Sequence, residues 1–167
     1  EYDSRGNLLK MTEAPDLAEV RATSYTYDKL DRLKTKTGAA IQGANTLPIE
    51  FYDYDLRGNL IRSADSTGAK VYAYFDDHNR KIAEISPVGT LTTMEYDLNG
   101  NLQVQRVYET ALPIPTQLGG LVPVGSGGFR ETQFDYDENN RLTHSRVMNV
   151  TVGRIVNGVY VNERQAA

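Results

Sequence analysis

The sequence predicts an all-β chain, a series of tandem antiparallel β-hairpins laid side by side in an extended twisted sheet. Three observations carry that expectation. A heptapeptide that opens on an aromatic residue followed by Asp recurs six times along the 167 residues. The fifth position of every copy holds a residue type that tolerates a left-handed backbone. Helical periodicity is hard to find anywhere in the chain.

The copies fix the elements in order. Tyr2-Asp3-Ser-Arg-Gly6-Asn-Leu8 is copy 1, and Tyr27-Asp28-Lys-Leu-Asp31-Arg-Leu33 is copy 2. Tyr54-Asp55-Leu-Arg-Gly58-Asn-Leu60 is copy 3, and the looser Phe75-Asp76-Asp-His-Asn79-Arg-Lys81 is copy 4. Tyr96-Asp97-Leu-Asn-Gly100-Asn-Leu102 and Tyr136-Asp137-Glu-Asn-Asn140-Arg-Leu142 are copies 5 and 6. Their starts are 25, 27, 21, 21 and 40 residues apart, so 21 is the basic period and three intervals carry insertions.

Each copy reads as a strand, a tight turn and a returning strand. The aromatic residue suits a strand. The Asp leaves it, with a carboxylate able to bond backbone N–H groups two residues on. Gly6, Gly58 and Gly100 are expected at left-handed turn positions, as are Asp31, Asn79 and Asn140. Tyr25 and Tyr27, Tyr52 and Tyr54, and Phe134 and Tyr136 are two apart, so each pair is expected on one sheet face. Leu102 and Val104 are expected to share a face in the same way, with Gln103 and Gln105 on the other. Aromatic rows from successive hairpins then stack.

The array is taken as residues 1–148, with irregular inserts near 12–22, 38–50 and 109–130, and a terminal hairpin and tail over 149–167. Within 12–22, Pro15 offers a start for one helical turn. Gly38 to Pro48 is small and polar. Residues 109–128 hold Pro113, Pro115, Pro123 and five glycines, and Gly125-Ser-Gly-Gly128 reads as a linker. Asn157-Gly158 between β-branched runs is a strong hairpin signal.

Composition narrows the function classes. Forty per cent apolar residues suffice for a core at this length. The net charge of −4 gives no electrostatic reason to expect nucleic acid or an anionic membrane as partner. Cysteine is absent, which rules out disulfides and thiolate metal sites. No apolar run approaches the ~20 residues of a membrane-spanning helix. The chain lacks an initial Met and opens inside a motif copy, and is read as a fragment or mature piece of a larger protein.

The motif Tyr-Asp-x-x-Gly-Asn/Arg-Leu at this period resembles the Rhs/YD-repeat family. The resemblance covers about residues 1–108 and 130–148, and Ser86-Pro87-Val88-Gly89 resembles the Pro-x-Gly turn that closes family repeats. The family includes bacterial Rhs proteins, the B and C components of Tc toxins, wall-associated bacterial proteins and animal teneurins. The resemblance implies a segment of a YD-repeat shell, a β-sheet wound into a hollow wall, which in the toxins encloses a C-terminal effector. It also implies secretion or a cell-surface location. Asp31, Asn79 and Asn140 depart from the family's Gly, the spacing is uneven, and the family's self-cleaving core region has no counterpart here. Neither autoproteolysis nor toxin activity therefore carries over.

The expected site is structural: Tyr2, Asp3, Gly6, Tyr27, Asp28, Tyr54, Asp55, Gly58, Phe75, Asp76, Tyr96, Asp97, Gly100, Tyr136 and Asp137. Motif carboxylates, with Asp53, Asp77, Asp135 and Glu138 nearby, offer oxygen ligands of the kind calcium takes. Carboxylates that cap turns are the plainer reading. His78 and His144 sit in or just after turns with no ligand-like spacing. No nucleophile elbow, metalloprotease helix or phosphate loop is present, and no catalytic residue, metal or cofactor is expected. The expected partners are neighbouring repeats of the parent chain or an enclosed effector domain, together with self-association of the isolated fragment. The alternative function is a surface adhesion module that binds glycan or a receptor through exposed tyrosines or the 109–128 loop.

Overall fold

The computed structural model describes residues 1–13, 21–39, 47–148, 151–156 and 159–164, the last two segments as backbone. The chain is all-β, and no helix occurs among the described residues. The strands are β1 (Lys10–Glu13), β2 (Arg21–Tyr27), β3 (Leu33–Thr37), β4 (Ile49–Tyr54), β5 (Leu60–Asp65), β6 (Lys70–Phe75) and β7 (Lys81–Ile85). They continue as β8 (Leu91–Tyr96), β9 (Leu102–Tyr108), β10 (Phe129–Tyr136), β11 (Leu142–Met148), β12 (Thr151–Val156) and β13 (Val159–Arg164). β1 to β11 follow one another in sequence order in one open antiparallel sheet, and β12 pairs with β13 in a second. Motif turns join β2 to β3, β4 to β5, β6 to β7, β8 to β9 and β10 to β11.

The chain forms two compact units, Glu1–Tyr72 with Gln117–Gly119 and Ala73–Thr116 with Gly120–Ala167. In the first unit, copy 1 closes through a Tyr2–Leu8 bridge, and β1 lies along β2 with Lys10 opposite Ser24. Gly38 N–H donates to the Pro48 carbonyl at 2.8 Å, which draws together the two ends of the connection between β3 and β4. In the second unit, Ala83, Ile85 and Leu91 are buried. Ala83 and Ile85 are two apart on β7, and Ile85 faces Leu91 across the return turn, so this core follows from period-two alternation. Leu112 N–H donates to the Gly89 carbonyl at 2.8 Å and brings the 109–128 excursion onto that turn.

The structure corrects two expectations and leaves a third, the helical turn after Pro15, outside the described residues. The 12–22 stretch is strand at both ends, since Thr12 and Glu13 belong to β1 and Arg21 and Ala22 to β2. Leu102 and Val104 do not share a face. Leu102 stands opposite Tyr96, but Val104 stands opposite Glu95, because one extra residue, Gln103, enters β9 at a register shift. Residues directly opposite in an antiparallel pair share a face, and Glu95 and Tyr96 are on opposite faces. The same shift follows the turns of copies 2, 3 and 6.

The second correction concerns Gly125 to Gly128. The excursion is irregular as expected, but this run packs and does not behave as a free linker. Glu109 N–H and the Gly128 carbonyl close its neck at 2.8 Å. A side chain at Gly125 would collide with the Tyr108 ring. The tail hairpin forms, with Val156 opposite Val159, and its Asn157-Gly158 turn lies outside the described residues.

Candidate functional site

All six motif turns share one backbone. The N–H at position 5 donates to the carbonyl of the Asp at position 2, and the Asp N–H donates to the carbonyl at position 6. In copy 5 these are Gly100 to Asp97 at 3.1 Å and Asp97 to Asn101 at 2.9 Å. That pattern is a tight turn followed by a left-handed residue, a common three-residue hairpin loop. Gly6, Gly58 and Gly100 have φ of 91°, 93° and 88°, as the sequence predicts. Asp31, Asn79 and Asn140 occupy the same region at 58–60°, so the substitutions for glycine keep the turn.

The Asp carboxylate organises the loop. One oxygen of Asp97 accepts from Asn99 N–H (2.9 Å) and Asn101 N–H (2.8 Å), and the other accepts from the Asn101 side chain (2.9 Å). Asp3 does the same with Arg5 and Asn7. In copies 2, 4 and 6 the sixth residue is Arg, and its Nε replaces the amide: Arg32 to Asp28, Arg80 to Asp76 and Arg141 to Asp137, each at 2.7 Å. These donors hold the carboxyls below the usual carboxylate range. For Asp97 and Asp3 the side-chain amide contributes most. For Asp28 and Asp137 the backbone N–H of the sixth residue does. The sequence reading named the Asp and missed this partner. The signal was present, because position 6 is always Asn or Arg, two side chains that carry an N–H donor to that distance.

Successive copies are then tied to one another. In the first unit, the Tyr27 hydroxyl of copy 2 donates to the Leu8 carbonyl of copy 1 at 3.0 Å. Arg32 of copy 2 lies 4.7 Å from the Tyr54 ring centroid of copy 3 and donates to the Asp55 carbonyl at 2.8 Å. In the second unit, the Tyr96 hydroxyl of copy 5 donates to the Lys81 carbonyl of copy 4 at 2.7 Å, with Arg80 4.8 Å above its ring. The Tyr136 hydroxyl of copy 6 donates to the Leu102 carbonyl of copy 5 at 3.0 Å.

Asp31 and Asn140, at position 5, join this ladder. Asp31 accepts from Arg5 (3.0 Å) and Asn7 (2.9 Å) of copy 1, and Asn140 accepts from Asn101 of copy 5 at 2.9 Å. Burial of the rings pushes the Tyr54 and Tyr96 hydroxyl pKa up. Phe75 lacks a hydroxyl and so supplies no rung of this kind.

Two return turns outside the motif copies have the same form. Asp65 accepts from Thr67 and Ala69 N–H (2.9 and 3.1 Å), and Thr90 N–H donates to Ser86 Oγ at 3.1 Å. Both turns end in a positive-φ glycine, Gly68 at 89° and Gly89 at 84°. One sheet face of the second unit carries an ionic chain. Arg106 bridges Glu95 and Glu131, Glu131 accepts from Gln133 at 2.7 Å, and Asp135 accepts from Arg146 at 2.5 Å. His78 donates its backbone N–H to Asp76 at 2.9 Å, and His144 stands opposite Asp135 on β11. Among the described residues no group of three or more His, Asp or Glu side chains is placed to hold a metal ion. No protein-family model matches the chain, and no curated protein is similar to it.

Proposed function

We propose that the chain is a structural YD-repeat segment of a larger exported protein. It forms part of a β-sheet shell wall that encloses or presents another domain, such as a toxin effector. The observation that supports this reading most is the direction in which the motif's polar groups point. The Asp carboxylates bind their own turn. Within each unit, the Tyr27, Tyr96 and Tyr136 hydroxyls and the Asn7, Arg32 and Asn101 side chains bind adjacent copies. A motif built this way joins copies, which is the requirement of a repeat array whose units are stable only beside their neighbours.

A glycan array followed by calorimetry tests the reading against an adhesion module. The wall reading expects no glycan bound more tightly than about 1 mM. Micromolar binding abolished by Tyr25→Ala or Tyr52→Ala would replace it with the adhesion reading.

A further inference from the structure

We propose that the last copy carries a receptor site for one kind of partner, an extended strand that ends in Tyr-Asp. The site comprises the Arg141 guanidinium, the Leu142 carbonyl and the outer edge of β11.

The argument comes from the copies before it. In each unit, a copy receives the next one through its position-6 and position-7 residues. Arg32 and Arg80 lie over the next copy's Tyr ring. Arg32 also reaches the carbonyl of the following Asp. The carbonyls of Leu8, Lys81 and Leu102 accept the next copy's Tyr hydroxyl. The returning strand pairs with the incoming one, as β1 does with β2 and β7 with β8.

Copy 6 has the same parts in the same pose. Arg141 Nε holds Asp137 at 2.7 Å, the distance found for Arg32 and Arg80. What differs is cover. The Arg32 and Arg80 side chains are 25% and 32% exposed, and Arg141 is 75% exposed. Leu142 is 55% exposed, and β11 is exposed from Leu142 to Val147. Among the described residues, β11 has a neighbour in the sheet only on its β10 side. The guanidinium is thus preorganised by its own turn and open on the side where Tyr54 and Tyr96 sit in the equivalent places.

The site selects its ligand by chemistry. The planar cation favours an aromatic face, the carbonyl requires a hydroxyl at the ring's far end, and the strand edge requires extended backbone. Tyr satisfies the first two, and Phe only the first. The inference rests on the interfaces within each unit and not on the shell reading, which keeps its own glycan test.

The test uses the full chain and an N-acetylated, C-amidated peptide with the sequence of residues 91–97, Leu-Thr-Thr-Met-Glu-Tyr-Asp. Binding is followed by calorimetry and by amide chemical shifts. Saturable binding between about 10 μM and 1 mM is expected, with shifts concentrated at residues 140–148. Replacing the peptide Tyr by Phe should weaken binding about threefold or more, and replacing it by Ala at least about tenfold. Arg141→Ala and Arg141→Lys in the chain should each weaken it several-fold, and Arg130→Ala should leave it unchanged. Absence of saturable binding up to about 5 mM peptide would overturn the proposal. So would binding indifferent to both the peptide Tyr and Arg141, or shifts located away from β11. Arg141 is exposed, and the unchanged sheet signal of its variants in circular dichroism separates loss of binding from loss of fold.

Discussion

Gly58 sits at φ 93° with open space where a side chain would begin. Any cost of replacing it is therefore backbone strain and not collision. Gly58→Val should destabilise the chain by more than about 1 kcal/mol, because a β-branched residue is disfavoured at positive φ, whereas Gly58→Asn should cost much less. Asn79 and Asn140 already show that geometry. Denaturant midpoints measure both, and a neutral Val variant would contradict the turn assignment. Tyr96→Phe removes only the hydroxyl that reaches Lys81, and about 0.5–1.5 kcal/mol should be lost in the same assay. The motif carboxylates set the acid response. Their pKa values are lowered in the folded chain. The stabilisation they give is complete above the unfolded value near 4 and is lost as pH falls through the folded values. The melting temperature should thus be flat from about pH 7 to 5 and drop below about pH 4. Asp97→Asn should make that drop shallower, and an identical profile would show that Asp97 contributes nothing to it.

At the scale of elements, β1 to β11 were legible because each is bounded by a motif turn with strong local chemistry. The left-handed position could be read from the set Gly, Asp and Asn, which shares only tolerance of positive φ. The faces after the turn were not legible. An extra residue such as Gln103 shifts the register by one and carries Val104 to the other side, and nothing in the local composition marks it. The inter-copy bonds were hidden for a similar reason, since they join residues 15 to 39 apart. The 109–128 excursion misled because glycine suits both a flexible linker and a close approach. At Gly125 the close approach applies, with the Tyr108 ring where a side chain would go. Tyr108 in turn packs at a tilt against Phe129, with ring centroids 5.5 Å apart and the ring planes 53° from parallel. Gly125→Val should therefore displace Tyr108 and cost about 1–3 kcal/mol. Gly120→Val, at a glycine with open space around it, should be close to neutral. Equal effects in thermal melts would return the run to the linker reading.

At the scale of the whole sheet, β1 and β11 each have one neighbour among the described residues. A strand with one neighbour leaves a row of N–H and C=O groups unpaired, and such an edge templates pairing with another chain. Natural edges are commonly blunted by charge, proline or short length. β11 runs seven residues without proline, and its exposed apolar side chains include Leu142 and Val147, 55% and 53% exposed. Its basic residues, His144 and Arg146, share one face, where Arg146 is neutralised by Asp135. Little charge is therefore left to repel a second strand, and the isolated chain should self-associate. Light scattering across a concentration series should give a mean mass that rises above 18.6 kDa. Val147→Lys places a cation on the exposed edge and should shift that rise to about tenfold higher concentration. The thermal midpoint at low concentration should hardly change, since Val147 contributes little burial. A single 18.6 kDa species at every concentration would show that the edges are closed in solution, and an unchanged series for Val147→Lys would move the contact away from β11.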